Sequence, residues 1–554
     1  MGCDLLILNG SVLTQDAKRP RAEAIAISGH KIVALGRSRD LVKLKGRKTK
    51  TIDAGGSTVL PGFIESHMHL FSGSAELSMF NADGIQGFSA LADHLSAYAS
   101  AHPGDGLLIG NQLSYVVLGA SEVLTRQHLD RILPQRPVLL YAPDHHTAWA
   151  NTVALQMAGI LEGKKLTPGH EIVMGNDRFA TGELREPEAI GPVADMAVDA
   201  SRARLGLATG GEPEPYPDTS TFAADLDLLR HGIAHLARHG ITSFHNMDGN
   251  FYTLELLAAL ESRGELTARA RVPFHFKPFM AVAALQRAKA MAAAYKGPLL
   301  SSGTVKMFMD GVLDSGTAVM LDDYPDRAAW RGEPLFTQRQ FNEVAAEADR
   351  LGLQVAVHAI GDGAVGMVLN GYAAARIANG QRDSRHRIEH IEVIARGDIK
   401  RLAQLGVIAS MQPPHAPGVP GMPLQPTLEK IGRAKWRQAF AWNSIRQAGV
   451  PLALGTDWPV SDINPMRAIH AAVTRKPWEK GLPDQQLPLA AALEGYTKAG
   501  AYAEFAEASK GAVKVGYLAD LVVMDCDLEK IPKDELKNAK PLFTITAGKV
   551  VFEL

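Results

Sequence analysis

His67-Met-His69 sets two imidazoles two residues apart. In an extended strand residues i and i+2 face the same way, so both rings can reach one metal ion. Thr304-Val-Lys306-Met-Phe-Met-Asp310 places a lysine inside an apolar run, which is costly unless the amine is paired or chemically changed. Lys306 therefore has two readings. It is an ammonium reaching a carboxylate such as Asp310 or Asp457, or an amine that has taken up carbon dioxide and become an anionic bridging ligand. His358 in Val355-Ala-Val-His-Ala, His390 in Arg387-Ile-Glu-His and Asp457 in Leu454-Gly-Thr-Asp complete a set of nitrogen and oxygen donors. Such donors suit zinc and do not exclude another divalent metal.

Buried strands must hold these side chains. Eight segments read as parallel strands: residues 59–69, 241–247, 271–280, 304–311, 354–361, 386–391, 407–413 and 451–457. Most precede a helical stretch, such as residues 341–351 and 436–448, and the donors lie at or near the strands' C-terminal ends, where barrel active sites sit. The pattern predicts an α/β fold, a (β/α)8 TIM barrel, with a doubly wound sheet as the alternative. The chain between residues 69 and 241 is far longer than one helix needs, so an inserted subdomain is expected at about 75–225. Short apolar runs at both ends, broken by pairs such as Asn9-Gly10 and Ser28-Gly29, predict one small β-sandwich built from both termini. The expected domains are residues 1–58, first part of the sandwich; 59–485, the metal-dependent barrel; and 486–554, a helix and the rest of the sandwich.

The 554 residues are 21% charged with a net charge of −1. That removes an electrostatic drive toward nucleic acid or a membrane surface. The basic run at residues 43–50 reads as a solvated turn. Cys3 and Cys526 are too few for a disulfide framework. No apolar run approaches the roughly 18 residues of a membrane span, and no leader-like segment opens the chain. The expectation is a cytoplasmic protein acting on a small-molecule substrate, with no nucleic acid or membrane partner. The large insert favours a homodimer.

Pro61-Gly-Phe-Ile-Glu-Ser-His67, Asp144-His-His146-Thr-Ala-Trp-Ala-Asn151, Val357-His-Ala-Ile-Gly-Asp362, Met411-Gln-Pro-Pro-His415 and Gly455-Thr-Asp457-Trp-Pro-Val460 fall in one order with Lys306. In this the chain resembles the amidohydrolase superfamily, and within it the branch that contains N-substituted formamide deformylase. The resemblance implies a metal-dependent hydrolase of a non-peptide C–N bond, of amide or formamide type, working through a metal-activated hydroxide. A deaminase or an ester or lactone hydrolase on the same site is the alternative. A non-catalytic scaffold is disfavoured because every ligand is present. His67, His69 and Asp457 would hold one Zn2+, His358 and His390 a second, and carboxylated Lys306 would bridge them. Asp457 would carry the proton to the leaving nitrogen. His146 would donate to the oxyanion, or else hold the insert in place; its neighbour His145 replaces a glycine frequent in that branch. Trp149, Met309, Trp458 and His245 are candidate substrate contacts, with packing as the competing reading for each, and His415 stands open between the same two roles. Asp310 and Asp362 would orient ligands or cap loops.

Overall fold

Eight short runs pair in parallel as one sheet. They are β1 (Phe63–Met68), β2 (Ile241–Asn246), β3 (Arg269–His275), β4 (Leu300–Phe308), β5 (Gln354–Ala359), β6 (Arg387–His390), β7 (Ile408–Met411) and β8 (Leu452–Leu454), each bonded to the next in chain order. A parallel bridge between Met68 and Trp458 brings β1 against the segment that follows β8. There the Asp457 N–H donates to the His67 carbonyl at 2.8 Å, and the His69 N–H to the Trp458 carbonyl at 2.8 Å. The architecture is a (β/α)8 TIM barrel, not a doubly wound sheet. Every residue of β2, β5 and β6 is buried, as expected of strands covered on both faces. Helices such as Phe251–Ser262, Gln338–Arg350 and Arg396–Leu405 fall between successive strands. The second opens with a reciprocal Thr337–Gln340 cap and the third ends on left-handed Gly406.

The structure describes residues 2–119, 122–142, 147–166, 170–196 and 210–554 in a computed structural model. The chain forms two compact units, Met1–Leu70 with Gly206–Leu554, and Phe71–Leu205. The single strand expected over residues 59–69 is two strands. Thr58–Pro61 belongs to the sandwich and β1 to the barrel. Gly62 makes the passage between them, because a Cβ there would stand 2.2 Å from the Thr242 side chain.

The sandwich joins two sheets. One holds Cys3–Leu8, Ala24–Ser28, Lys31–Gly36 and Lys45–Asp53. In the other, Thr58–Pro61 pairs antiparallel with Leu521–Met524, so early and late chain lie side by side. Ile7, Ile25, Ile27, Val59, Leu521, Val523 and Ile545 share their core. The basic run is mostly strand rather than turn. Lys45–Asp53 is the outer strand of its sheet, and its exposed lysines and arginine guard an edge that would otherwise invite pairing with another chain. Arg269 at the start of β3 forms a two-pronged buried ion pair with Asp520, at 2.7 and 3.0 Å, tying barrel to sandwich. Deleting residues 1–55 removes one whole sheet and bares the inner face of the other. The truncated protein is expected in the insoluble fraction, and a soluble, active truncation would contradict the composite sandwich.

The second unit is a six-stranded sheet with an apolar layer on each side. Its strand Val138–Tyr141 alternates between them, Val138 and Leu140 toward one layer, Leu139 and Tyr141 toward the other. That explains its unbroken apolar run. Among the described residues no helix is long and apolar enough to cross a membrane.

Candidate metal centre

Alternation along β1 sends Glu65 and His67 into the barrel, and His69 follows at its rim. The nitrogens of His67 and His69 stand 3.4 and 3.2 Å from the same oxygen of Asp457, all three side chains being buried. Asp457 reaches this place with φ +61°, and His390 with φ +76°. Glu389 and His390 are consecutive, and in a regular strand they would face opposite ways. The left-handed turn at His390 instead brings its ring to 4.7 Å from that of His67 and 4.5 Å from that of His358. Non-glycine residues held in this region of backbone space are concentrated at functional sites.

His67, His390 and His358 each have an outer partner that settles the tautomer. Glu389 is fully buried. Burial alone would raise it, yet Arg387, bonded to it at 2.7 and 2.8 Å, and His67 hold it well below the usual carboxylate range. It therefore only accepts, and the His67 Nδ1–H donates to it at 2.7 Å, leaving the Nε2 lone pair toward Asp457. His390 Nδ1–H donates to Gln412 at 2.8 Å, which leaves its Nε2 available. His358 Nε2–H donates to the Gly311 carbonyl at 3.0 Å, which leaves its Nδ1 available. His69 Nδ1 lies 3.5 Å from Asp248. Outer acceptors of this kind orient imidazoles as ligands and raise their basicity.

Lys306 is fully buried, and its Nζ has no hydrogen-bond partner among the described residues. It lies 4.7 Å over the Phe308 ring. Asp310 does not pair with it; its oxygens accept the N–H groups of Val319, Ile360 and Gly361. Asp362 accepts from the Leu321 N–H and pairs with Lys435. Both aspartates thus pin loops. Burial brings Lys306 down to about 8, against the pull of Glu389 and Asp457. Asp457, which burial would raise, is held well below the usual range by His67 and His69. An unpartnered buried amine, an unpartnered Asp457 oxygen and three imidazoles with fixed inner lone pairs make a donor set that fits divalent cations.

The remaining candidates divide. His415 joins the site: its ring is parallel to that of His390 at 6.0 Å, Nε2 is 3.9 Å from Asp457 and Nδ1 is 3.5 Å from Glu392. With His390 and Asp457 it forms a second cluster able to hold an ion. His245 sits inside the barrel, where Nδ1 accepts from Arg387 at 2.7 Å and Nε2 faces Glu504, itself bonded to Lys510 at 2.5 Å. The packed reading of His245 is the one its surroundings match. Trp458 turns outward, 5.8 Å from the His235 ring. Met309 is fully buried, and Trp149 lies in the second unit's core against Tyr115. His146 lies outside the described residues, as does His145. Sequence reasoning missed Glu389, Asp248 and Gln412 as partners of the ligands. Glu389 carried the same signal as Lys306, a charged residue in a short buried strand.

The model of the amidohydrolase family matches residues 50–552. The chain belongs to the amidohydrolase family. This amidohydrolase, a hydrolase of carbon–nitrogen bonds, is 30% identical to the protein LONG AFTER FAR-RED 3 of Arabidopsis thaliana, over 99% of this chain and 91% of that one. It is 25% identical to the N-substituted formamide deformylase of Arthrobacter pascens, over 99% and 98%. Its fold is that of an uncharacterized metal-dependent hydrolase from Pyrococcus furiosus, with a TM-score of 0.72 at 23% identity, covering 94% of this chain and 98% of the other.

Proposed function

We propose that this amidohydrolase cleaves an amide- or formamide-type C–N bond in a small molecule, using two zinc ions. His67, His69 and Asp457 would hold one, and His358 and His390 the other. Lys306 would join them as a carbamate: its neutral amine adds to carbon dioxide, an N–C bond forms and one proton leaves. When bound, the ions supply a nucleophilic water of lowered pKa and polarise the scissile carbonyl. Asp457 takes the proton of the attacking water and returns it to the departing nitrogen. Glu389, Gln412 and the Gly311 carbonyl keep the three imidazoles turned inward while this happens.

The observation that carries this reading is the buried, unpartnered Lys306 amine within electrostatic reach of Asp457, a carboxylate whose near neighbours are imidazole nitrogens. The 25% identity to a formamide deformylase supports the bond type. The test is one screen of the zinc-loaded protein against formamides, N-acyl amino acids, lactones and amino-heterocycles. Turnover confined to the first two classes is expected. Turnover confined to lactones or amino-heterocycles would overturn the bond assignment.

Metal uptake itself has a sign. Before a metal binds, burial opposes charge on His69, but the carboxylates of Asp248 and Asp457 at 3.5 and 3.2 Å outweigh burial and lift the ring to about 9. An ion competing for that ring must expel its proton. Zinc affinity is expected to rise by about tenfold per pH unit up to that value and then level off. Chelator competition from about pH 6 upward measures it. An affinity indifferent to pH would remove His69 from the ligand set.

A further inference from the structure

Beneath the N-terminal ends of β3, β4 and β5, away from the strand ends that carry the ligands, the barrel unit carries a solvent-open cleft of about 340 Å³. Arg271, Lys289 and Ser302 line it. The guanidinium of Arg271 is held from behind. Its Nε donates to Thr304 Oγ1 at 3.0 Å, Thr304 donates to Gln354 Oε1 at 3.1 Å, and the Gln354 amide donates to the Arg385 and Ala503 carbonyls. No carboxylate among the described residues lies within ion-pair distance of Arg271 or Lys289. Ser302 is 8% exposed, and its buried hydroxyl has no partner. Gly303, at φ +133°, holds a backbone conformation that a side chain would strain, and it lies beside Arg271 Nη2 on the cleft wall. Arg382 also lines the cleft, but Asp349 holds it at 2.7 Å.

The groups that face the cleft without an ion-pair partner are donors, the exposed Lys289 and the more buried Arg271 being cationic, with Glu504 and Glu347 acting on them only at longer range. Their complement is an acceptor-rich anion. A carboxylate would occupy the outer nitrogens of Arg271 and leave Ser302 or Lys289 idle. A phosphate group, with its several acceptor oxygens, can take all of these donors. Phe505, 42% exposed and 6.0 Å from the guanidinium, gives the wall an apolar face for the body that bears the phosphate. We propose that this cleft binds a small phosphate-bearing molecule, held by Arg271, Lys289 and Ser302. The site takes no part in the hydrolysis proposed above and stands or falls separately from it.

The test uses the zinc-loaded full chain and inorganic phosphate. Calorimetric titration is paired with crystals soaked in phosphate, so that binding at the metal centre is told apart from binding in the cleft. The expected result is phosphate density touching Arg271 and Ser302. Arg271→Met should weaken the cleft component at least about tenfold, the scale of losing a charge-assisted bond pair. Ala292→Leu, which fills the cleft from the helix Leu285–Ala294 without touching a charge, should weaken it similarly and guards against a folding defect in the first variant. Metal content should stay unchanged in both. Phosphate found only at the metal centre, or equal affinity in both variants, would overturn the proposal. So would acetate binding in the cleft as tightly as phosphate.

Discussion

Asp457→Asn is expected to lower turnover by about two orders of magnitude or more while the fold and most of the metal are retained. The backbone of Asp457 helps close the barrel through its N–H bond to the His67 carbonyl, and the substitution leaves that bond alone. An asparagine keeps the side chain's shape and one oxygen donor. It cannot take up a proton and release it. The loss should therefore fall on kcat, with KM less affected, because the missing group acts on the reacting atoms and not on substrate binding. Metal analysis of the same preparation separates the two roles of the residue. Near-normal turnover at unchanged metal content would remove Asp457 as the proton carrier.

Lys306→Ala is expected to lose at least one of the two metals and more than about two orders of magnitude in turnover. An ammonium between two cations would be repelled by both. A carbamate is anionic and offers an oxygen to each. Burial favours the neutral amine from which a carbamate forms, and Lys306 at about 8 is far closer to that state than an exposed lysine. Added short-chain carboxylates should restore part of the activity by occupying the gap left by the side chain. The opposite reading treats Lys306 as an unmodified, poorly solvated ammonium. On that reading Lys306→Met would relieve a buried charge, raise the melting temperature and leave metal content alone. The two outcomes cannot both occur.

The donors that follow strand periodicity were readable in the sequence. His67 and His69 announce themselves by spacing, and Lys306 by standing in an apolar run. Their outer partners were harder to find. Asp248 follows β2 and Gln412 follows β7, so each meets its histidine only after the barrel closes. His390 faces the site through a left-handed turn that no alternation rule predicts. The same turn lets neighbouring Glu389 serve His67. The aromatic and apolar residues were read by position along the strand ends, and position does not say which way a ring turns. Trp458 follows Asp457 directly yet points at His235, outside the barrel. The charged interior, Arg387 with Glu389 and His245 and Lys510 with Glu504, replaces the branched aliphatic layers usual in such barrels. Buried charges that pair only across distant strands leave no local pattern in the chain.

The central claim is a pair of zinc ions bridged by a carboxylated Lys306. A high-resolution crystal structure of the zinc-loaded protein, with anomalous data at the zinc edge, tests it most directly. The expected map has two anomalous peaks, one beside His67, His69 and Asp457 and one beside His358 and His390, with a planar carboxylate continuous with Lys306 Nζ between them. One fully occupied peak beside an ordered Lys306 that ends at its amine would contradict it.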